Sequence, residues 1–312
     1  MSDTPSNAGP NDAPALNINM DLPFQNNTVP AMLEPDHKFC FSCHKGISCF
    51  NDCCKQADVT LTPYDIIRMK RRLNIDSSEF LKEYTVPVQL DAHLPGIKLK
   101  TSDAGACLLV TEEGCSVYGD HPTACRYYPI GLMNMKKQDE KEEEQHYFKV
   151  KEAHCKGHEE SKEQTIAEYR EAQGVPEYDE MNHAWYQIVL KKRSTGPTVG
   201  MPSDTSLQFF FMCSYDVDRF RRFVMSESFK KTYDLTDDTF AMLADSDEAL
   251  LRFGFDLQKQ VLFAEDNIPL RDGAGETRMQ ERKEVWELRQ QAEIVRYQAE
   301  QEQREREVTD GD

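Results

Sequence analysis

The sequence predicts a predominantly helical α+β single domain with a small β-hairpin beside a cysteine-ligated metal centre. Three observations predict it. Capped segments with helical apolar spacing recur from Thr62 onward, two short apolar runs flank a Glu-Glu-Gly turn at 112–114, and five cysteines crowd the stretch from Cys40 to Cys54.

The chain opens on Ser, Asn, Asp and Pro mixed with scattered apolar residues, without the basic start and continuous apolar stretch of a secretory signal. Residues 1–36 are therefore read as a disordered tail, and the protein as cytoplasmic. Residues 37–160 form the cysteine-rich, metal-binding region. Its first part, Phe39 to Lys55, has neither helical nor strand period, so its conformation is set by what it binds. Thr62-Pro-Tyr-Asp65 then supplies an N-cap, a proline at the first helical position and an acid three residues on. The helix it opens carries Ile66, Ile67, Met69 and Leu73. Arg68, Arg71 and Arg72 share one face of it and are read as a solvated face. Asp76 and Glu79 open a second helix. Cys107-Leu-Leu-Val110 and Cys115-Ser-Val-Tyr118 are the two arms of the hairpin. Lys136 to His146 is a charge run, read as a solvated loop or helix end.

From Thr165 the reading is helical. Thr165 and Glu168 make a capping box, Gln173-Gly174 a stop, and Asp179 to Leu190 a periodic segment with Trp185, Ile188 and Val189. Residues 161–270 form a helical region packed on the cysteine region, with Phe209, Phe210, Phe211, Phe220, Phe223 and Phe229 as core. Ser246 to Phe263 adds a further helix, broken at Asp272-Gly-Ala-Gly275. In the charged C-terminal helix and tail, 276–312, Val285, Leu288, Ala292, Val295 and Ala299 recur at 3-4-3-4 spacing. That narrow seam suits a protein partner or the helix's own domain.

Composition limits the function. Of the 312 residues, 55 are acidic and 37 basic, a net charge of −18 that repels nucleic acid and anionic membranes, and the longest apolar runs fall short of a membrane span. A chain of this length does not need staples to fold. Ten cysteines without an export signal therefore point to metal or thiolate chemistry rather than a disulfide framework. Soft thiolates select zinc, copper(I) or iron–sulfur clusters over calcium and magnesium. Neighbouring side chains in an extended segment point to opposite sides, so the adjacent Cys53 and Cys54 suggest two sites or a polynuclear cluster. The sequence has no dinucleotide fingerprint, P-loop, HExxH or GxSxG.

Phe41-Ser-Cys-His-Lys-Gly-Ile-Ser-Cys-Phe-Asn-Asp-Cys-Cys54, Leu61-Thr-Pro-Tyr-Asp65, Gly114-Cys-Ser-Val-Tyr118 and His121-Pro-Thr-Ala-Cys-Arg-Tyr-Tyr-Pro129 occur in that order. Together they resemble the YkgJ-type cysteine-cluster family, the zinc- or iron-chelating domain with a CxxCxxCC motif. The likeness continues through Cys155-Lys-Gly-His158 and Phe253-Gly-Phe255. The resemblance implies metal binding by Cys43, Cys49, Cys53, Cys54, Cys107, Cys115, Cys125 and Cys155, enough for two four-cysteine centres of zinc or iron–sulfur type. The spacings 43–49 and 49–53 are longer than the short motif. Cys40 is an additional candidate, and Cys213 is read as core. Arg126 and Tyr118 are candidates to donate hydrogen bonds to the centre or offset its charge, and His44, His121, His154 and His158 to replace a thiolate. The family label suggests an iron–sulfur oxidoreductase of unknown substrate. A structural-zinc interaction module is the alternative, and a cluster-containing protein methylase, from a distant likeness to flagellin lysine methylases, is a minor one.

Overall fold

The computed structural model describes residues 32–90, 94–135, 144–194, 203–274, and 291, 294, 295 and 297. The architecture is α+β and mostly helical, with its strands in small antiparallel pairs. The chain forms two compact units, Met1–Tyr186 and Gln187–Asp312. No described helix is long and apolar enough to cross a membrane.

Unit 1 holds all eight strands and the first helices. β1 (Lys38–Cys40) pairs with β8 (Glu163–Thr165), so Lys38 lies opposite Thr165 and closes a long loop around the cysteine region. The capping box at Thr62 forms as its sequence predicts and opens α2 (Pro63–Leu73), whose inner face buries Ile66, Ile67 and Met69. Asp76 accepts from the Glu79 N–H and starts α3 (Ser77–Tyr84). β2 (Thr85–Gln89) and β3 (Pro95–Leu99) form a hairpin in which Thr85 faces Leu99, and Ile97 and Leu99 join the core under α2 and α3. The hairpin at the Glu-Glu-Gly turn is present but short, β4 (Val110–Thr111) and β5 (Gly114–Cys115).

β6 (Ile130–Met135) and β7 (Glu144–Lys149) form another antiparallel pair. The end of the charge run, expected in a loop or helix end, is therefore strand from Glu144; the stretch 136–143 lies outside the described residues. Strand pairing wins there because Tyr147 is 1% exposed, and Leu33 exchanges two backbone hydrogen bonds with it. α5 (Ile166–Ala172) starts at the Thr165 capping box, and Gly174, in the left-handed region at φ 66°, separates it from α6 (Val175–Ser194). Phe39, Phe41, Tyr127, Ile130, Tyr147 and Ile166 build a second apolar cluster, against which Tyr128 and Cys155 pack.

Gly157 opens a 3-10 turn pressed on Phe41. A β-carbon there would collide with the Phe41 ring and come within 3.0 Å of the Ser42 carbonyl. Gly157→Ala is expected to cost about 1–3 kcal/mol of stability by overpacking, read as a lower urea midpoint of the full chain.

Unit 2 is helical: α7 (Asp204–Tyr215), α8 (Val217–Val224), α9 (Glu227–Thr232), α10 (Asp237–Asp245) and α11 (Asp247–Phe263). Ser203, Ser226, Thr236 and Ser246 cap four of these helices, each accepting a backbone N–H three residues on. Phe210, Phe220 and Phe229 are buried as core, and Cys213 lies among them at 1% exposure. Of the C-terminal seam, Val295 is helical and exposed; Val285, Leu288, Ala292 and Ala299 lie outside the described residues.

Candidate metal centre

Nine of the ten cysteines, all but Cys213, lie in unit 1, and every cysteine is free of a disulfide. The loop after β1 turns through Ile47 N–H to His44 carbonyl and Phe50 N–H to Ile47 carbonyl, each 3.1 Å. Asn51 then adopts a left-handed backbone, φ 67°, and its side chain holds the Thr111 carbonyl at 3.0 Å, tying the loop to the β4–β5 hairpin. The following helix, α1 (Asp52–Lys55), is one turn long and carries Cys53 and Cys54.

This turn changes the meaning of the adjacent pair. The expectation of opposite-facing sulfurs assumed an extended segment. The chain instead winds, and the Cys53 and Cys54 sulfurs stand 3.9 Å apart. That is close to the ~3.8 Å edge of four sulfurs placed tetrahedrally about zinc. The pair is a junction, with other cysteines gathered on either side of it.

One group gathers Cys43, Cys49, Cys53 and Cys155. Burial, and then the like charges of Cys53, Cys49 and Cys155, push the Cys43 thiol up to about 11. The Lys156 N–H donates to Cys49 Sγ at 3.1 Å, which brings the Cys155 turn onto the first loop. A second group gathers Cys54, Cys107, Cys115 and Cys125. The Cys107 N–H donates to the Cys54 carbonyl at 2.8 Å, and Cys115 lies opposite Val110 in the hairpin. Cys125 is on α4 (Thr123–Tyr127). It keeps a solvent-facing edge while protein surrounds it on most sides, and its thiol is pushed well above the ordinary range by burial, then by Asp65, Cys107, Cys115 and Cys53. Burial likewise raises Cys107 and Cys115. Cys53 runs the other way, down to about 7, because the Cys54 thiol donates to it and His154 lies near; the Cys54 thiol is correspondingly raised.

The eight predicted ligands therefore fall into two adjoining fours that meet at Cys53 and Cys54. Among the described residues no three metal-ligating side chains already stand at the distances that would hold an ion. The groups are thiol neighbourhoods rather than closed cages. Their chemistry nonetheless fits a soft cation: thiols that burial, and then their neighbours' like charges, keep protonated are relieved when a metal supplies positive charge. Cys40 is exposed on β1, outside both groups.

The other candidates are placed as follows. Arg126 points away from the sulfurs. Its guanidinium donates to the His121 carbonyl (3.0 Å), the Gln173 carbonyl (2.6 Å), the Gly119 carbonyl and the Tyr178 hydroxyl (2.8 Å), and lies 4.1 Å from the Tyr178 ring centroid. Arg126 is occupied by these partners and acts as a brace rather than as a donor to the centre. Tyr118 is 67% exposed and stacks on His121. His121 is drawn down to about 4, by burial first and then by Arg126, and its Nδ1 faces the Gly119 N–H. His44 meets Glu160 at 3.4 Å, and His158 lies 3.0 Å from the Val150 carbonyl. Among the histidines, His154 acts on a cysteine, Cys53, while pairing with Glu152 at 3.4 Å. Arg68, expected on a solvated face, is tied to Asp120 and Glu177 at 2.8 and 2.7 Å.

Two residues at the site carry more than their motif suggested. Asp65, fully buried, accepts from the Thr62 N–H (2.8 Å), the Thr123 N–H (2.8 Å) and the Thr123 hydroxyl (2.7 Å). One carboxylate thus caps α2 and fixes the start of α4, which bears Cys125. Tyr128, in the Arg-Tyr-Tyr-Pro run, has a buried hydroxyl without a hydrogen bond.

A unit of mixed helices and short strand pairs that brings eight thiols together has the make-up of a cysteine-rich metal-chelating module. Residues 42–184 match the family model described as "CxxCxxCC: Putative zinc- or iron-chelating domain", so this part of the chain is similar to that family. The match ends in α6, close to the end of unit 1. No curated protein and no solved structure matches the chain.

Proposed function

We propose that unit 1 is an iron–sulfur protein module working in an oxidoreductase role. Its ligands are Cys43, Cys49, Cys53 and Cys155 in one group and Cys54, Cys107, Cys115 and Cys125 in the other. The observation that carries the reading is the gathering of eight thiols, from loops, the one-turn helix α1, the β4–β5 hairpin and α4, in a unit that also has an apolar core. Leu61, Ile66, Ile67, Met69 and Phe80 are each at most 1% exposed. A metal needed only to hold the fold together would occupy the place of such a core. The presence of that core favours a centre kept for its chemistry. An iron–sulfur centre bound there would accept and release single electrons. The chain's own groups would orient it through the Lys156 N–H on Cys49.

The test is anaerobic purification of the full chain, analysis for iron, zinc and acid-labile sulfide, and circular dichroism before and after chelation. Iron and sulfide in near-equal amounts, with most helical signal surviving metal removal, is the expected result. A colourless zinc protein that loses its helices on chelation would instead establish the structural-zinc interaction module. The C-terminal helix would then be the place to look for a protein partner.

A further inference from the structure

We propose that the β4–β5 hairpin is the docking surface for a one-electron carrier protein whose redox group is ringed by lysine and arginine, with Leu108 and Tyr118 at the apolar middle of the contact. This rests on the oxidoreductase reading above and names the class of protein with which that centre would exchange an electron.

Two side chains single the hairpin out. Among the described residues of unit 1, Leu108 and Tyr118 are the exposed large hydrophobic side chains, at 43% and 67%. Each adjoins a buried one, Leu109 and Val117. The Ser116 N–H and hydroxyl both donate to the Leu109 carbonyl, each at 2.9 Å, which brings the two pairs together on one hairpin. The inward members fix the chain and hold the outward ones in water. Tyr118 is further immobilised by His121, on which it stacks with 4.9 Å between centroids and 12° between planes. A tyrosine already held in place loses little freedom on binding, and so suits the role of anchor.

The hairpin also belongs to the centre. Leu108 follows Cys107 directly, Tyr118 lies just beyond Cys115, and the Cys107 N–H donates to the Cys54 carbonyl at 2.8 Å. A partner seated here lies against the second cysteine group.

Charge selects the partner. From Thr101 to Cys125 the chain holds Asp103, Glu112, Glu113 and Asp120 but no lysine or arginine. Glu113 meets Lys45 and Asp120 meets Arg68, whereas Asp103 and Glu112 are exposed and make no ion pair among the described residues. A centre held by four thiolates adds negative charge, because the thiolates outweigh a divalent ion or an iron–sulfur core. The complement is a basic rim, and such charges steer the encounter. In the step itself one electron leaves the reduced centre and enters the oxidised carrier, and no atom or proton is transferred.

Cytochrome c, a basic one-electron carrier, is the probe. The full chain is reconstituted anaerobically with iron and sulfide, reduced with dithionite and freed of excess. It is then mixed by stopped flow with ferricytochrome c and, separately, with ferricyanide, a small anion that needs no docking surface. Asp103→Lys with Glu112→Lys is expected to slow the reaction with cytochrome c about tenfold at low salt and to flatten its salt dependence. Glu83→Lys with Glu171→Lys makes the same change of charge on exposed residues of α3 and α5, and should slow it far less. Leu108→Ser should raise the cytochrome c concentration giving half-maximal rate about tenfold, with the ferricyanide rate unchanged. Equal slowing by the two lysine pairs, or a wild-type response of Leu108→Ser to cytochrome c, would overturn the docking surface. The oxidoreductase reading would survive either result, since ferricyanide still takes the electron. If neither acceptor is reduced, that reading fails and the docking proposal with it.

Discussion

Arg126→Ala is expected to lower the stability of unit 1 by about 4 kcal/mol, since hydrogen bonds to a charged group are worth roughly 1.5–3 kcal/mol each and their losses do not add fully. The guanidinium reaches across the unit from α4. Its acceptors are the Gly119 and His121 carbonyls of the preceding loop, the Gln173 carbonyl at the end of α5 and the Tyr178 hydroxyl of α6. Truncation leaves three carbonyls facing a void at a residue only 5% exposed. Arg126→Lys should recover less than half of the loss, because an ammonium cannot match a planar fork aimed at separate acceptors. Urea unfolding followed by Trp185 fluorescence checks this: Trp185 is buried in unit 1 at 4% exposure, and the other tryptophan, Trp286, is first replaced by phenylalanine. Equal midpoints for wild type and Arg126→Ala would refute the bracing role.

Asp65→Ala should cost about 3 kcal/mol, because two backbone N–H groups and a hydroxyl lose their buried acceptor at roughly 1–3 kcal/mol each, offset in part by the charge no longer being buried. Asp65→Asn should cost less, about 1–2 kcal/mol, since its amide oxygen replaces one carboxylate oxygen while its NH2 faces another donor. The pH dependence has a definite sign. Burial, the largest influence, raises Asp65 above the ordinary carboxylate value, while the hydrogen bonds from Thr62 and Thr123 pull it back. A folded value above the unfolded one means that the stability this group contributes is fully present below its unfolded value. It is lost as pH rises through the raised folded value. Asp65→Asn should remove that slope, so the wild-type advantage over the variant should shrink as pH rises through that window and stay constant outside it. Because Thr123 begins the helix that bears Cys125, both variants should also release metal more readily during chelation.

The helices of this fold are legible in the chain because their signals are local. Thr62, Asp76, Thr165 and Ser246 each cap the helix that follows, and Gly174 stops one where its positive φ is needed. The strand pairs are a different matter. β2 contains Pro87, which counts against a strand, yet it pairs with β3 over five positions. β1 and β8 are three residues each and meet across most of unit 1, a partnership no local pattern encodes. In β7 a strand begins inside an acidic run, because burial of Tyr147 outweighs the charge pattern around it. At the centre, the eight thiols named on the family resemblance are brought into one neighbourhood. Their division into two groups depends on the helical turn at 52–55 and on the return of Cys155 beside Cys49.

The β1–β8 ladder also sets the order in which this site can come into being on the ribosome. Lys38 waits for Thr165, and Cys43, Cys49, Cys53 and Cys54 emerge long before Cys155. At about 5–20 residues per second, the nascent chain exposes those four thiols for roughly 5 to 20 seconds before the last member of the first group is synthesised. During that interval the thiols are open to oxidation and to whatever ion reaches them. A complete first group can therefore exist only after Cys155 has been synthesised.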